Sequence, residues 1–302
     1  MRFKIFTKVM SILSFGEPLL INYLESNKLT SGSKSYFSLG GSEINTLVSL
    51  SSLGRKTSLI SCCPENNFGQ EFIDNLEENK VNTEFVQRSE NEMFGSIYIK
   101  NNKVFNQRTK SAFSNINIYE VEFMKIFNKE IDWLHLTGIP PLISSNAKIV
   151  WKELLRSGIE KNIKISIDFN FKPALGFIDE LWNMIKPNID KIEVFIVSVD
   201  DLHSICKMEQ IEINEKSSEQ ILLIFCQKFN VKKGVLYIKK LKNDKQLCRS
   251  IMVSDNVVYS SNIKEYNCID HSKDSDLFSG YLIHGLLNND KITKILNEAD
   301  KY

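Results

Sequence analysis

Short apolar runs typical of strands alternate with longer amphipathic runs along almost the whole chain. A first buried strand is predicted at residues 11–15, and residues 56–61, 133–136 and 163–169 have the same character. Helical patterns follow them, as at residues 68–79 and 147–155. This alternation is typical of parallel βαβ units, because a parallel strand pair needs a crossover that a helix usually supplies. The sequence therefore predicts an α/β fold built on a mostly parallel sheet.

Two segments depart from this alternation. Residues 94–108 are predicted to form a hairpin, because alternating residues flank Asn101 and Asn102, which tolerate tight turns. Residues 23–39 are polar and rich in turn-forming residues. We expect both segments to build a small second sheet, formed by about residues 18–40 and 92–112, that lies over the main domain as a lid. No repeat or linker interrupts the pattern, so residues 1–302 are predicted to form one domain.

The composition is that of an ordinary globular protein. Of its 302 residues, 42% are hydrophobic, and the 38 basic and 37 acidic residues nearly cancel. Balanced charge gives no indication of nucleic acid or an acidic membrane as a partner. No apolar run reaches the roughly 18 residues of a membrane span. Residues 1–10 lack the pattern of a secretory signal, so a cytoplasmic location is expected.

The cysteines and histidines show no metal-ligand spacing. Cys62 and Cys63 are adjacent, which fits neither a zinc site nor a redox motif. Reduced core thiols are therefore predicted, and no metal ligands of the zinc type are assigned.

The segment 269–280 carries the clearest indication of chemistry. It places Asp270 before, and Asp276 at the start of, an apolar helical pattern. A turn at a helix start gathers backbone N–H groups that bind anions such as phosphate. Asp276 is a candidate general base at such a turn, whereas Asp274 or Ser275 is a candidate helix cap.

Taken in order, several segments resemble the PfkB/ribokinase family of carbohydrate kinases. Asp270, Asp276 and Phe278 fit the family motif Asp-Thr-x-Gly-Ala-Gly-Asp-x-Phe-x-x-Gly, in which the second Asp takes a proton from the sugar hydroxyl. Other segments that resemble family blocks are residues 15–17, 40–45, 53–55, 67–70, 133–138 and 167–173. The resemblance implies a ribokinase-like three-layer αβα fold with a β-sheet lid. It also implies ATP and Mg²⁺ as cosubstrate and ion, and a homodimer formed through the lid.

Within the family, residues 40–45 and 108–114 resemble those of 2-keto-3-deoxygluconate kinases. By that resemblance Asp270 belongs to the sugar site with Lys172, which stands where the family has an arginine. A lysine offers a point charge instead of two parallel hydrogen bonds, so a sugar acid would be held more loosely. The resemblance further implies sugar contacts from Gly40, Gly41 and Asn45, and from Tyr98 and Arg108 of the lid.

The nucleotide side departs from the family pattern. Lys273, Asp274 and Ser275 replace Gly-Ala-Gly, although only glycine accepts φ > 0 and close backbone approach without cost. Ser198 and Asp201 stand at the ends of the segment where the family has Asn-x-x-Glu. By the resemblance, these two residues and Lys273, Asp274 and Ser275 are the candidates for binding the nucleotide. Residues 238–244 contain no glycine, and residues beyond the helix predicted at 292–296 are few compared with active relatives. The adenine wall is therefore expected to be short or missing.

Two functions stay open at this point. The first is ATP-dependent phosphorylation of a sugar or sugar acid with Asp276 as general base. The alternative is a catalytically degenerate pseudokinase that acts as a sugar sensor, scaffold or assembly subunit. A nucleoside kinase is less favoured, because residues 111–114 resemble the segment of sugar-acid kinases.

Overall fold

The computed structural model describes residues 11–24, 30–100, 103–128, 130–242, 245–267 and 274–301. Fourteen strands occur in these residues: β1 (Ser11–Phe15), β2 (Leu19–Leu24), β3 (Ser35–Gly40), β4 (Lys56–Pro64), β5 (Val81–Ser89), β6 (Gly95–Lys100), β7 (Lys103–Gln107), β8 (Trp133–Thr137), β9 (Lys164–Asp168), β10 (Val194–Val197), β11 (Lys233–Lys242), β12 (Lys245–Ser254), β13 (Val257–Ser260) and β14 (Lys264–Asn267).

Ten of the strands form one sheet in the order β13-β12-β11-β10-β9-β8-β1-β4-β5, with β14 also paired to β12. All neighbours from β11 to β5 are parallel, and the strands beyond β11 are antiparallel. The predicted α/β fold with a mostly parallel sheet is confirmed. Because every parallel strand ends at the same edge of the sheet, side chains distant in sequence meet there.

Helices cover both faces of this sheet: α1 (Ser42–Ser52), α2 (Asn67–Glu78), α3 (Phe123–Asn128), α4 (Pro140–Ile143), α5 (Ser145–Glu160), α6 (Ile178–Ile185), α7 (Val199–Met208), α8 (Ser218–Phe229), α9 (Asp274–Leu287) and α10 (Ile292–Ala299). Short 3₁₀ helices lie at Phe113–Asn115, Ile118–Glu120 and Lys186–Lys191. One apolar core joins α1, α2, α9 and α10 to the sheet. The other apolar core joins the helices α5, α6, α7 and α8 to the sheet. The fold therefore has three layers.

The remaining strands form a separate sheet in the order β3-β2-β6-β7. Strands β6 and β7 are an antiparallel hairpin in which Lys100 pairs with Lys103, and the residues of the expected turn, Asn101 and Asn102, lie outside the described residues. Strand β2 joins this hairpin to β3. This small sheet, formed by the two segments expected to build the lid, is called the lid below, and its chain connections to the main domain lie before β2, after β3, before β6 and after β7.

Several elements were not predicted from the sequence, among them β5 and α7. Strand β5 is an edge strand of the main sheet, and its alternation is interrupted by polar and charged residues such as Asn82, Glu84 and Arg88. Helix α7 begins after Ser198, whose side chain accepts a hydrogen bond from the backbone N–H of Asp201. That cap stabilises the start of a helix in a segment that was read only as a family motif.

Candidate active site

The first turns of α1 and α9 meet beside the edge where the parallel strands end. Asp276 lies in the first turn of α9 and is 4% exposed. The Asn45 side chain donates a hydrogen bond of 2.9 Å from Nδ2 to Asp276 Oδ2. Thr46 Oγ1 donates to the backbone oxygen of Asp276 at 3.1 Å. Residues 231 positions apart in the chain are thus held together as one unit.

Glycine at position 41 allows α1 to begin at this point. Gly41 is the N-cap of α1 and has a φ of 142°, a backbone conformation that residues other than glycine rarely adopt. A Cβ at Gly41 would also overlap the backbone oxygen of Glu17. The neighbouring Gly40 ends β3, and a Cβ there would lie 3.5 Å from Asn45 Oδ1. The predicted site residues Gly40, Gly41 and Asn45 are therefore next to each other and next to Asp276.

Burial raises the pKa of Asp276 above its ordinary value. Hydrogen bonds from Asn45 and Ser42 lower the pKa, as do the positive charges of Lys172 and Lys239. Burial, together with the negative charge of Asp276, raises the pKa of Asp168 to about 7. The two carboxyl groups therefore share one electrostatic environment, in which protonation of one favours ionisation of the other.

A third carboxyl group, that of Glu43, belongs to the first turn of α1 and is buried. Its side chain is 1% exposed and accepts a hydrogen bond from Thr137 Oγ1 at the end of β8. Burial raises the pKa of Glu43 to about 8, so the group is neutral at pH 7. A Cβ at Gly16 would overlap the Glu43 side chain, so a glycine is needed at this position. Glu43 thus ties the helix that carries Asn45 to the central sheet.

Arg108 lies at the base of the lid and is 9% exposed. Its Nε is 3.3 Å from Glu17 Oε2, and Ser111 Oγ donates to Glu17 Oε1 at 2.9 Å. Burial raises the pKa of Glu17 to about 7, although Arg108 and Ser111 lower it. The positive charge of Arg108 also lowers the pKa of Glu43, although burial outweighs it. The predicted lid cation is therefore near the site but already has a carboxylate partner.

A cavity of about 590 Å³ opens beside Asp276 at the ends of β9, β10 and β11. Three of its lysines lie on two segments, Lys172 after β9 and Lys239 and Lys240 on β11. The cavity is also lined by Asp168, Asn170, Ser198, Asp200, Asp201, Tyr237, Ser275 and Phe278. The structure thus brings together four residues predicted for the sugar or nucleotide: Lys172, Ser198, Asp201 and Ser275.

Two of the predicted nucleotide residues already have partners. Ser198 Oγ accepts the Asp201 N–H at 3.1 Å as the cap of α7. Burial raises the pKa of Asp201, whereas its hydrogen bond with Ser198 and the charge of Lys172 lower it. The Asp201 carboxyl also accepts a hydrogen bond from the backbone of Phe171. These contacts hold Asp201 at the cavity wall.

An aromatic stack forms the inner wall of the same cavity. The rings of Tyr237 and Phe278 lie parallel with centroids 4.5 Å apart. Lys239 Nζ lies 5.1 Å from the centre of the Tyr237 ring, a cation–π distance. Phe278 is two residues from Asp276 in α9. The stack therefore brings Lys239 close enough for its charge to lower the pKa of Asp276.

Tyr98 lies in the lid, in a row of paired residues Phe37, Asn22, Tyr98 and Phe105. Alternation along β6 puts Tyr98 on the opposite face of the lid from Gly95 and Ile97. Asp270 and Lys273 lie outside the described residues. Asp274 and Ser275 both fall within the first turn of α9, so neither precedes it as a cap.

Several residues of this site were missed by sequence reasoning. They are Glu17, Ser42, Glu43, Asp168 and Lys239. Glu43 and Asp168 lie inside the recognised segments 40–45 and 167–173, so a charged residue in an otherwise apolar context was an available signal. Ser42 and Lys239 gave no comparable signal, because polar residues at element ends are usually exposed.

In the described part of the chain, no group of three or more His, Cys, Asp or Glu side chains is placed to hold a metal ion. Nor is any helix among these residues long and apolar enough to cross a membrane.

Residues 11–234 match the family described as pfkB family carbohydrate kinase. Among solved structures, a 2-dehydro-3-deoxygluconokinase from Thermotoga maritima is similar, with a TM-score of 0.87 and 22% identity over 96% of this chain and 91% of that chain. A putative 2-keto-3-deoxygluconate kinase from Enterococcus faecalis has a TM-score of 0.83 and 18% identity over 96% of this chain and 89% of its own. A putative ribokinase II from E. coli, in complex with ATP and Mg²⁺, has a TM-score of 0.78 and 16% identity over 96% and 90% of the two chains.

Proposed function

This chain belongs to the pfkB family of carbohydrate kinases, and from that premise we propose that it phosphorylates a sugar or sugar acid similar to 2-keto-3-deoxygluconate. The observation that carries the proposal is the hydrogen bond between Asn45 and Asp276. It holds a buried carboxylate at the start of a helix, beside a cavity lined with lysines. That arrangement can both accept a proton and stabilise negative charge.

In this proposal Asp276 is the general base. Its carboxylate takes the proton from a sugar hydroxyl as the hydroxyl oxygen bonds to the γ-phosphorus, and the bond from that phosphorus to the ADP oxygen breaks. Burial raises the pKa of Asp276, so its carboxylate is a stronger base than an exposed one. Asn45 and Ser42 donate hydrogen bonds that fix its orientation.

The cavity fits a nucleotide phosphate group and one Mg²⁺. The positive charges of Lys172 and Lys239 lower the pKa of Asp276. In this proposal the two lysines bind phosphate oxygens and so replace part of the glycine turn that this chain lacks. Mg²⁺ is commonly held by one or two carboxylates plus phosphates, so the absence of a three-carboxylate group among the described residues is compatible with it. Asp201, with Ser198 beside it, would bind the ion directly or through water. When bound, Mg²⁺ neutralises charge on the phosphates.

The sugar would lie between this edge and the lid. Gly40, Gly41 and Asn45 would contact its hydroxyls, together with Tyr98 and Asp270. Arg108 would attract the acid group of the substrate, and Glu17 would fix the guanidinium in place. Since Glu17 already offsets the charge of Arg108, we propose that an uncharged sugar also binds, with lower affinity.

Thermal unfolding with separate ligands tests the binding part of the proposal. A ligand raises stability only when it binds the native state, by about 2.7 kcal/mol at a hundredfold excess over its dissociation constant. We expect 2-keto-3-deoxygluconate alone and Mg-ATP alone each to raise the unfolding temperature. No shift with either at millimolar concentration would contradict both ligand sites.

A second function, a sugar-binding protein without catalysis, is favoured by one observation. The Ser198 hydroxyl caps α7 by accepting the Asp201 backbone N–H, the Asp201 carboxyl is hydrogen-bonded to Ser198 and to the Phe171 backbone, and residues 273–275 lack the family's glycines. In this case the sugar acid raises the unfolding temperature and Mg-ATP does not. The two functions therefore differ in the nucleotide result alone.

We also propose a homodimer formed through the lid. Its two faces both carry exposed apolar side chains: Phe37 (65%) and Phe105 (55%) on one, Tyr36 (62%) and Val104 (53%) on the other. The substrate can cover only one face, so a second copy would cover the other. Sedimentation of the intact protein is expected to give a dimer, and a monomer at all micromolar concentrations would overturn this assignment.

A further inference from the structure

The four chain crossings between the main domain and the lid meet at one residue, Glu17. The lid begins and ends at β2 (Leu19–Leu24), β3 (Ser35–Gly40), β6 (Gly95–Lys100) and β7 (Lys103–Gln107), so the chain crosses near residues 17, 41, 95 and 108. Glu17 is itself the first of these crossings and is 2% exposed. It touches the other three.

The second and third crossings are glycines because Glu17 occupies the space beside them. A Cβ at Gly41 would overlap the Glu17 backbone oxygen, and a Cβ at Gly95 would overlap the Glu17 carboxylate. Both lid strands can approach so closely only without a side chain at these positions. Their position relative to the main domain is therefore fixed by Glu17.

The fourth crossing is held by charge. Arg108 Nε lies 3.3 Å from Glu17 Oε2, and both side chains are at most 9% exposed. Ser111, the next anchored residue after the lid, donates to Glu17 Oε1 at 2.9 Å. In so little water, removing one charge leaves its partner buried without compensation.

We propose that Glu17 is a positioning residue that fixes the angle of the lid over the Asn45–Asp276 site. It is the first crossing, follows the end of β1 closely, and lies against the other three at Gly41, Gly95 and Arg108. The role for substrate binding rests on the proposed function. The role in holding the lid does not.

Hydrogen exchange of the intact protein without ligands tests this role. In Glu17→Gln, which keeps an oxygen for Ser111 but removes the charge, we expect amides of β2, β3, β6 and β7 to exchange at least about tenfold faster. Amides of the parallel strands of the main sheet should keep their wild-type rates. Glu180→Gln, which breaks the Lys148 ion pair far from the lid, is the matched control and should change neither sheet.

Removing both charges separates an ionic contact from a loss of packing. Glu17→Gln with Arg108→Gln is expected to exchange more slowly in the lid than Glu17→Gln alone, because no buried charge is left unpaired. Where Glu17→Gln does not fold, Ser111→Ala and Gly95→Ala are measured instead and should also accelerate exchange in the lid only. Unchanged lid exchange, or faster exchange spread evenly over both sheets, overturns the proposal.

Ligand binding then connects this role to the proposed function. Glu17→Gln should raise the dissociation constant for 2-keto-3-deoxygluconate at least about tenfold and leave that for Mg-ATP within twofold, because the lid lies apart from the cavity at β9–β11. Lid-specific exchange without any sugar binding to the wild type would contradict the proposed function and leave the positioning role intact. Sugar binding that Glu17→Gln does not weaken would contradict the positioning role alone.

Discussion

At the scale of single residues, Asp276 combines two properties that a general base needs. It is buried, which raises its pKa, and it is held by Asn45 at 2.9 Å, which fixes its direction. A positioned base contributes roughly 10²–10⁴-fold to rate. The family motif predicts Asp276 as the base, which stays a prediction, whereas its contacts with Asn45 and Ser42 could not be predicted from the sequence.

We predict that Asp276→Asn lowers kcat for the sugar acid by about 10²–10⁴-fold, with little change in the affinity for either ligand. Asparagine keeps the size and an oxygen for the Asn45 amide but cannot take the proton. Asp74→Asn, on the exposed face of α2, is the control and should keep wild-type turnover. ADP release measures the effect, and equal rates in the wild type and Asp276→Asn would exclude Asp276 as the base.

The buried carboxyl groups should make stability depend on pH. Burial raises the pKa of Glu43 from 4.5 to about 8, so the folded protein holds a proton that the unfolded chain has already lost between these values. Stability from this group is complete below pH 4.5 and falls as the pH rises towards 8, by at most about 1.4 kcal/mol per pH unit for one proton.

We therefore predict that Glu43→Gln weakens this fall. Glutamine can still accept the Thr137 hydrogen bond but does not titrate. Urea unfolding of both proteins at pH 5, 6.5 and 8 measures the slope. Part of the slope should persist, because burial also raises the pKa of Glu17 and that of Asp168 to about 7. An unchanged slope in the variant would show that Glu43 is ionised in the folded protein.

At the scale of elements, the site depends on the contact between α1 and α9. Gly280 of α9 lies against α1, where a Cβ would come within 2.6 Å of Ser49 Oγ. Glycine thus allows the two helices to approach closely enough for Asn45 to reach Asp276. Asp276 lies one turn before Gly280 in α9 and is 4% exposed. A small separation of α1 and α9 would therefore also admit water to its carboxylate.

We predict that Gly280→Ala destabilises the protein by about 1–3 kcal/mol, as overpacking of a core usually does. Ser49→Gly in the same chain removes the obstructing atoms and should restore part of the loss, whereas Ser49→Gly alone should not stabilise. Denaturant unfolding of the four proteins measures the interaction between the two positions. Purely additive effects would show that the helices do not meet as described.

Most elements could be predicted from the sequence because local patterns specify them. The period of apolar residues predicted α2 and α5, and the alternating residues on either side of Asn101 and Asn102 predicted the hairpin of β6 and β7. Strand β5 and helix α7 were missed because edge position and capping outweigh apolar periodicity there. Contacts such as that of Glu17 with Arg108 depend on three-dimensional proximity, and no local pattern carries them.

At the scale of the whole molecule, the proposed sugar site and the proposed nucleotide site are built differently. The proposed sugar site adjoins Glu17, Glu43 and the start of α1, which connect the lid and the main sheet. The proposed nucleotide site is a cavity lined by Lys172, Lys239 and Lys240, in a chain that lacks the family's glycine turn. We expect the affinity for Mg-ATP to be the weaker of the two, because a lysine charge is screened by salt more than a convergent set of backbone N–H groups.

The most direct measurement is detection of the phosphorylated product. Wild-type protein, Mg-ATP and 2-keto-3-deoxygluconate are incubated together, and ³¹P NMR follows the phosphorus signals. We predict a new phosphate monoester signal that grows in step with ADP in the wild type and is absent in Asp276→Asn. ADP without a monoester would mean hydrolysis by water. No monoester from this or any other sugar offered, with sugar binding intact, would contradict catalysis.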